Sequence, residues 1–68
     1  MKVSLAKTKT YLDEMDWTQK DLARVIGVHE VTMSKKFSGK ELPSLQQLYR
    51  ISNALQVKLE DLFDIIEE

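Results

Sequence analysis

The sequence predicts an all-α domain built from five short helices, and three observations carry that reading. The 68 residues contain only two glycines and one proline, and the β-branched residues are scattered, so several helices with tight connections are favoured. Apolar residues recur at three- to four-residue spacing along most of the chain. Finally, an apolar residue four times precedes a capping position, with another apolar residue five places later: Trp17/Leu22, Val28/Met33, Pro43/Leu48 and Val57/Leu62. That is the spacing of the hydrophobic staple, which fixes how the chain enters a helix.

The first helix is predicted from about Ser4 to Met15, with Leu5, Thr8, Leu12 and Met15 on one stripe. The second follows Thr18, a good N-cap, and runs to about Ile26. Its inward residues are Leu22, Ala23 and Ile26, with Ala23 small where two helix axes would approach. Gly27 can take the positive φ of a sharp inter-helix turn. The third helix begins after His29 and ends near Ser38, where Gly39 can adopt the left-handed cap conformation. The fourth runs from Ser44 to about Leu55; Ser44 and Gln47 form a capping box, and Leu45, Leu48, Ile51 and Leu55 supply the apolar face. The fifth follows Lys58, with Glu60 and Asp61 in its first turn complementing the helix dipole. Around this last helix stand Leu62, Phe63, Ile65 and Ile66, more apolar residues than one face can bury. Phe63, Ile65 and Ile66 are therefore expected to form a dimer or partner surface.

Composition narrows the functional classes. The length fits one domain, and without cysteine neither disulfides nor thiolate zinc sites can hold it. No run approaches the roughly 18 apolar residues of a membrane span, and the start has no apolar signal-type stretch, so a cytoplasmic protein with no membrane partner is expected. There is one histidine, no glycine-rich phosphate loop, and no nucleophile beside a base, so neither an enzyme nor a cofactor is expected. His29 has no second ligand nearby, so no metal is expected either. The net charge of −1 hides an uneven distribution: four Lys/Arg against one acid from Arg24 to Lys40, but one lysine against five acids from Lys58 to Glu68.

The densest information lies between Trp17 and Leu42. Two short amphipathic patterns there are separated by one glycine, with an alanine four residues before it, a spacing that packs two helices steeply and leaves the second exposed along one side. The run Thr18-Gln19, Leu22-Ala23, Gly27-Val28, Met33-Ser34, Gly39-Lys40, Pro43-Ser44, Leu48, Ile51, Ala54-Leu55, Val57, Leu59 and Asp61-Leu62-Phe63 resembles the Cro/phage-repressor (Xre-type) helix-turn-helix family. The resemblance covers about residues 5 to 63. It implies a compact five-helix, lambda-repressor-like domain whose second and third helices form the helix-turn-helix. It also implies a transcriptional regulator, here a stand-alone repressor from a phage, prophage or mobile element, that binds a palindromic double-stranded DNA operator as a homodimer.

Two departures from the family pattern locate the third helix. Many members carry an arginine in helix 1 paired with a glutamate near the end of helix 3, where this chain has Leu12 and Phe37; the preceding position, commonly apolar, is Lys36. An apolar Leu12–Phe37 contact can stand in for the ion pair. With Met33 and Phe37 inward, Val31 and Lys35 turn outward, flanked by Thr32, Ser34 and Ser38, while Glu30 lies at the N-terminal end. Glu30, Val31, Thr32, Ser34 and Lys35 are thus the expected base contacts: Lys35 can donate to guanine, Glu30 accept from cytosine, and Val31 cover a thymine methyl. Gln19 matches the family's phosphate-contacting glutamine. Thr18, His29, Lys36, Ser38 and Lys40 complete the expected phosphate contacts. The rival reading is a protein-interaction module of antirepressor or antitoxin type that binds another regulator, which the slightly acidic balance favours.

Overall fold

The computed structural model describes residues 2–67. In chain order they form β1 (Lys2–Ser4), α1 (Ala6–Glu14), α2 (Gln19–Ile26), α3 (Glu30–Ser38), α4 (Leu45–Leu55), a single 3₁₀ turn (Leu59–Asp61) and β2 (Asp64–Ile66). The domain is mostly helical, with four α-helices and a short antiparallel ribbon. The ribbon pairs Lys2 with Ile66, Val3 with Ile65 and Ser4 with Asp64.

The ribbon corrects the predicted five-helix, all-α architecture. After Lys58 the chain makes one 3₁₀ turn and then extends, because Ile65 and Ile66 are β-branched and the N-terminal strand offers a ladder for their backbone groups. The same pairing holds Ser4 in β1, so α1 starts at Ala6 and not at Ser4.

All four helices stop in the same way. Each ends on a left-handed residue: Asp16 (φ 58°), Gly27 (φ 76°), Gly39 (φ 84°) and Gln56 (φ 57°). In each case the following N–H reaches back five residues: Trp17 to the Leu12 carbonyl, Val28 to Ala23, Lys40 to Lys35 and Val57 to Ser52, at 2.9–3.2 Å. These are Schellman closures, which satisfy carbonyls that a helix end leaves open. Three of the closing residues, Trp17, Val28 and Val57, are also the staple residues before the next element. One apolar side chain therefore ends one helix and positions the entry to the next, which explains the tight connections.

The helix starts follow their caps. Thr18 and Asp21 make a reciprocal capping box on α2 (2.9 and 3.1 Å), and Ser44 and Gln47 make another on α4 (3.0 and 3.1 Å). Inside, Leu12, Leu22, Ala23, Ile26, Met33, Ile51, Leu55 and Leu62 form one core cluster, with Trp17, Val28, Phe37 and Val57 half-buried against it. Two members of the predicted stripes are exposed instead of buried. Met15 follows the last helical residue of α1 and is exposed. Leu45 opens α4 and is 70% exposed, because Leu48, Ile51 and Leu55 already fill the arc that faces the core. Thr8 is fully buried, and its hydroxyl donates to the Leu62 carbonyl at 2.7 Å, tying α1 to the segment that leads into β2. The Arg50 guanidinium donates to the Ile26 carbonyl at 3.3 Å, closing the C-terminal end of α2 from α4.

Candidate nucleic-acid interface

The site is built on the α2–turn–α3 unit. Leu22, Ala23 and Ile26 anchor α2, Gly27 reverses the chain in the left-handed conformation, and Val28 returns to the core. His29 then caps α3: its Nδ1 accepts the Val31 N–H at 3.2 Å, leaving Nε2 as the proton-bearing nitrogen. Only Met33 of α3 is fully buried, at 2% exposure, and Phe37 packs beside the same cluster that holds Leu12. Leu12 and Phe37 thus meet at one core cluster, Leu12 inside it and Phe37 packed against it.

With that face turned inward, Glu30, Val31, Ser34, Lys35 and Ser38 are all exposed and form a ridge along the helix, while Thr32 is half-buried at its flank. Gln19 and Lys20, from the start of α2, border a shallow depression with Glu30, Val31 and Ser34, which places Gln19 beside the ridge. A cleft of about 320 Å³ opens on the other side, between Ser4, Ala6 and Lys9 and the trio Gln19, Ser34 and Ser38. Ser38 donates its hydroxyl to the Lys35 carbonyl at 3.1 Å, and Lys40 is exposed just past the helix. Thr18 is exposed with its Oγ1 engaged in the α2 cap.

The electrostatics of α3 hold one feature that sequence reasoning missed. Glu41, in the loop after the helix, lies 3.3 Å from the Lys36 ammonium and 4.0 Å from that of Lys35. Lys36 also donates to the Leu42 carbonyl at 3.1 Å, and its side chain is only 14% exposed. Lys36 therefore fastens the α3–α4 loop, whereas Lys35 keeps its place on the ridge. Glu41 could have been suspected from its distance of five and six residues from the two lysines, but only the Schellman turn at Gly39 folds it back toward them. The Asp21 carboxyl is held below its ordinary value of 3.8, first by the Thr18 N–H, then by the Thr18 side chain, with smaller help from Arg24 and Lys20. Its charge therefore belongs to the cap of α2.

The surface predicted around a fifth helix is rearranged. Phe63 packs against the core half-buried, while Ile65 (56% exposed) and Ile66 (48% exposed) stand on β2 and point to opposite faces of the ribbon. Among the described residues no cluster of three or more His, Asp or Glu could hold a metal ion, and no helix is long and apolar enough to cross a membrane.

A capped helix with one buried edge, carried on a second helix and exposing a polar ridge, defines a helix-turn-helix DNA-binding domain. The chain belongs to the Cro/C1-type HTH DNA-binding domain family, whose model matches residues 9–68. An uncharacterised HTH-type transcriptional regulator of Archaeoglobus fulgidus is 34% identical over 62 residues, covering 91% of this chain and 87% of the relative. Another, from Methanocaldococcus jannaschii, is 39% identical over 57 residues, covering 84% and 86%. The crystal structure of the transcriptional regulator VanUg superposes with a TM-score of 0.84 at 27% identity, covering 98% of this chain and 88% of that one.

Proposed function

We propose that this member of the HTH transcriptional-regulator family is a sequence-specific, Cro-like repressor that binds a palindromic operator as a symmetric dimer, with α3 in the major groove. The observation that carries the reading is the exposed ridge of α3, held by Met33 and Phe37 from below and by the His29 cap at its N-terminal end. Glu30, Val31, Thr32, Ser34 and Lys35 read base edges from that ridge, Thr32 from its flank. Gln19, Thr18, His29, Ser38 and Lys40 fix the register on the phosphates. Lys36 contributes through its charge, since a direct phosphate contact requires it to leave Glu41 and the Leu42 carbonyl. The second copy docks at β2, where Ile65 and Ile66 are exposed and Phe63 supports the strand from the core side.

Selection from random duplex DNA, followed by a salt titration on the winning sequence, tests this reading. A palindromic consensus with steeply salt-dependent binding is the expected result. Failure to enrich any sequence at moderate salt overturns it. That outcome favours the interaction module, for which the acidic tail and exposed β2 isoleucines are the binding surface. Lys35→Ala should relax preference at one base pair per half-site, by roughly 1–3 kcal/mol. Gln19→Ala should weaken binding to all sequences alike.

A further inference from the structure

We infer that the cleft between the start of α1 and the α2–α3 unit is a DNA phosphate seat, with Lys9 as its charged anchor. The inference deepens the functional reading above, on which it rests. The walls come from β1 and α1 (Ser4, Ala6 and Lys9) on one side and from α2 and α3 (Gln19, Ser34 and Ser38) on the other. Among the residues lining the cleft there is one cation, Lys9, and no acid. Two of its walls, Ser34 and Ser38, stand on the exposed ridge of α3, and Gln19 opens α2. A strand whose bases meet the ridge therefore runs its backbone along the mouth of the cleft.

The two lysines of α1 are used differently. The Lys7 ammonium lies 3.1 Å from the Asp64 carboxylate of β2, so its charge is already matched. Lys9 makes no ion pair among the described residues and borders the cleft. The side chain of Gln19 likewise has no hydrogen-bond partner among the described residues, so an amide donor lines the same cleft. Lys9 of α1 and Gln19 of α2 thus border one space large enough for a phosphate group. That is the chemistry a phosphodiester oxygen needs, and no base edge is required.

The test compares Lys9→Gln with Lys7→Gln, which removes the same charge two residues away. Binding to the selected operator is measured over a salt series, together with phosphate-ethylation interference. Lys9→Gln should weaken binding several-fold on every sequence and make the slope of log K against log salt shallower by about 0.9 for each protomer bound. It should also abolish interference at one phosphate per half-site. Lys7→Gln should leave the slope and the interference pattern as in wild type, and both exposed substitutions should leave the melting temperature unchanged. Equal slopes for Lys9→Gln and wild type, or equal losses in the two variants, overturn the seat while leaving the functional reading standing. Wild-type protein that binds no duplex overturns both.

Discussion

The helix-turn-helix and the terminal ribbon are stabilised by different kinds of information. From Thr18 to Gly39 every boundary rests on residues at most five positions apart: a capping box, a glycine turn, a histidine cap and a Schellman closure. The ribbon joins Lys2–Ser4 to Asp64–Ile66 across nearly the whole chain, with three residue pairs and no fully buried side chain in β2. The first unit is rigid before it meets anything, as a reading surface must be. The second depends on the rest of the domain for its alignment.

The largest expected contrast is in stability. Met33→Ala removes the one fully buried side chain of α3 and should cost about 2–5 kcal/mol. For a domain this small each 1 kcal/mol is worth roughly 4–8 °C in Tm, so thermal melts resolve the loss easily. Ile65→Ala, at a half-exposed ribbon position, should change Tm far less. Similar losses in the two variants would show that the ribbon is part of the core, and the division drawn here would fall.

Next in size is Thr8→Val, which cuts the link between the two regions. The hydroxyl is fully buried and serves the Leu62 carbonyl at 2.7 Å; valine keeps the shape but leaves that carbonyl unsatisfied. A loss of about 1–3 kcal/mol is expected. If Thr8→Val melts like wild type, the ribbon end is held by packing alone.

Thr18→Ala should cost about 1 kcal/mol by removing the α2 cap. The same cap predicts a pH dependence. Because the folded Asp21 carboxyl lies below its ordinary value of 3.8, it contributes stability above that pH, and the contribution is lost as pH falls through the lower folded value. Melts between pH 6 and pH 2 should show wild type losing more stability on acidification than Asp21→Asn; parallel curves would remove Asp21 from the cap's energetics.

These two regions also mark where the sequence was legible. The α2 and α3 boundaries, the Gly27 and Gly39 turns and the inward Met33 could be read because capping, staple and helical periodicity are all short-range. The left-handed closures at Asp16 and Gln56 were not visible, since neither residue is glycine and the closing hydrogen bond reveals them only in three dimensions. The predicted fifth helix failed because Glu60 and Asp61 do resemble a helix start, and β2 is explained only by a strand about sixty residues away. At the candidate site the ridge followed from the positions of Met33 and Phe37. Glu41 and the cleft beside Lys9 did not, as both arise from the juxtaposition of separate elements.

The smallest stability effect separates the regions most sharply in function. Each has one exposed carboxylate on lysine: Glu41 on Lys35 and Lys36, and Asp64 on Lys7. Such pairs are worth about 0.2–1 kcal/mol, so Glu41→Gln and Asp64→Asn should lower Tm by a few degrees at most. Both remove one negative charge and raise the net charge equally. Yet Glu41 lies 4.0 Å from the Lys35 ammonium on the ridge of α3, so on the proposed function it competes with DNA for that cation. Charges farther away are screened over about 8 Å at physiological salt. Glu41→Gln should therefore tighten binding to all duplexes and reduce discrimination between them, because a freed lysine is drawn to any phosphate. Asp64→Asn should leave affinity close to wild type. Equal tightening in the two variants would mean that net charge alone governs binding, and that Glu41 sets no limit on what Lys35 can reach.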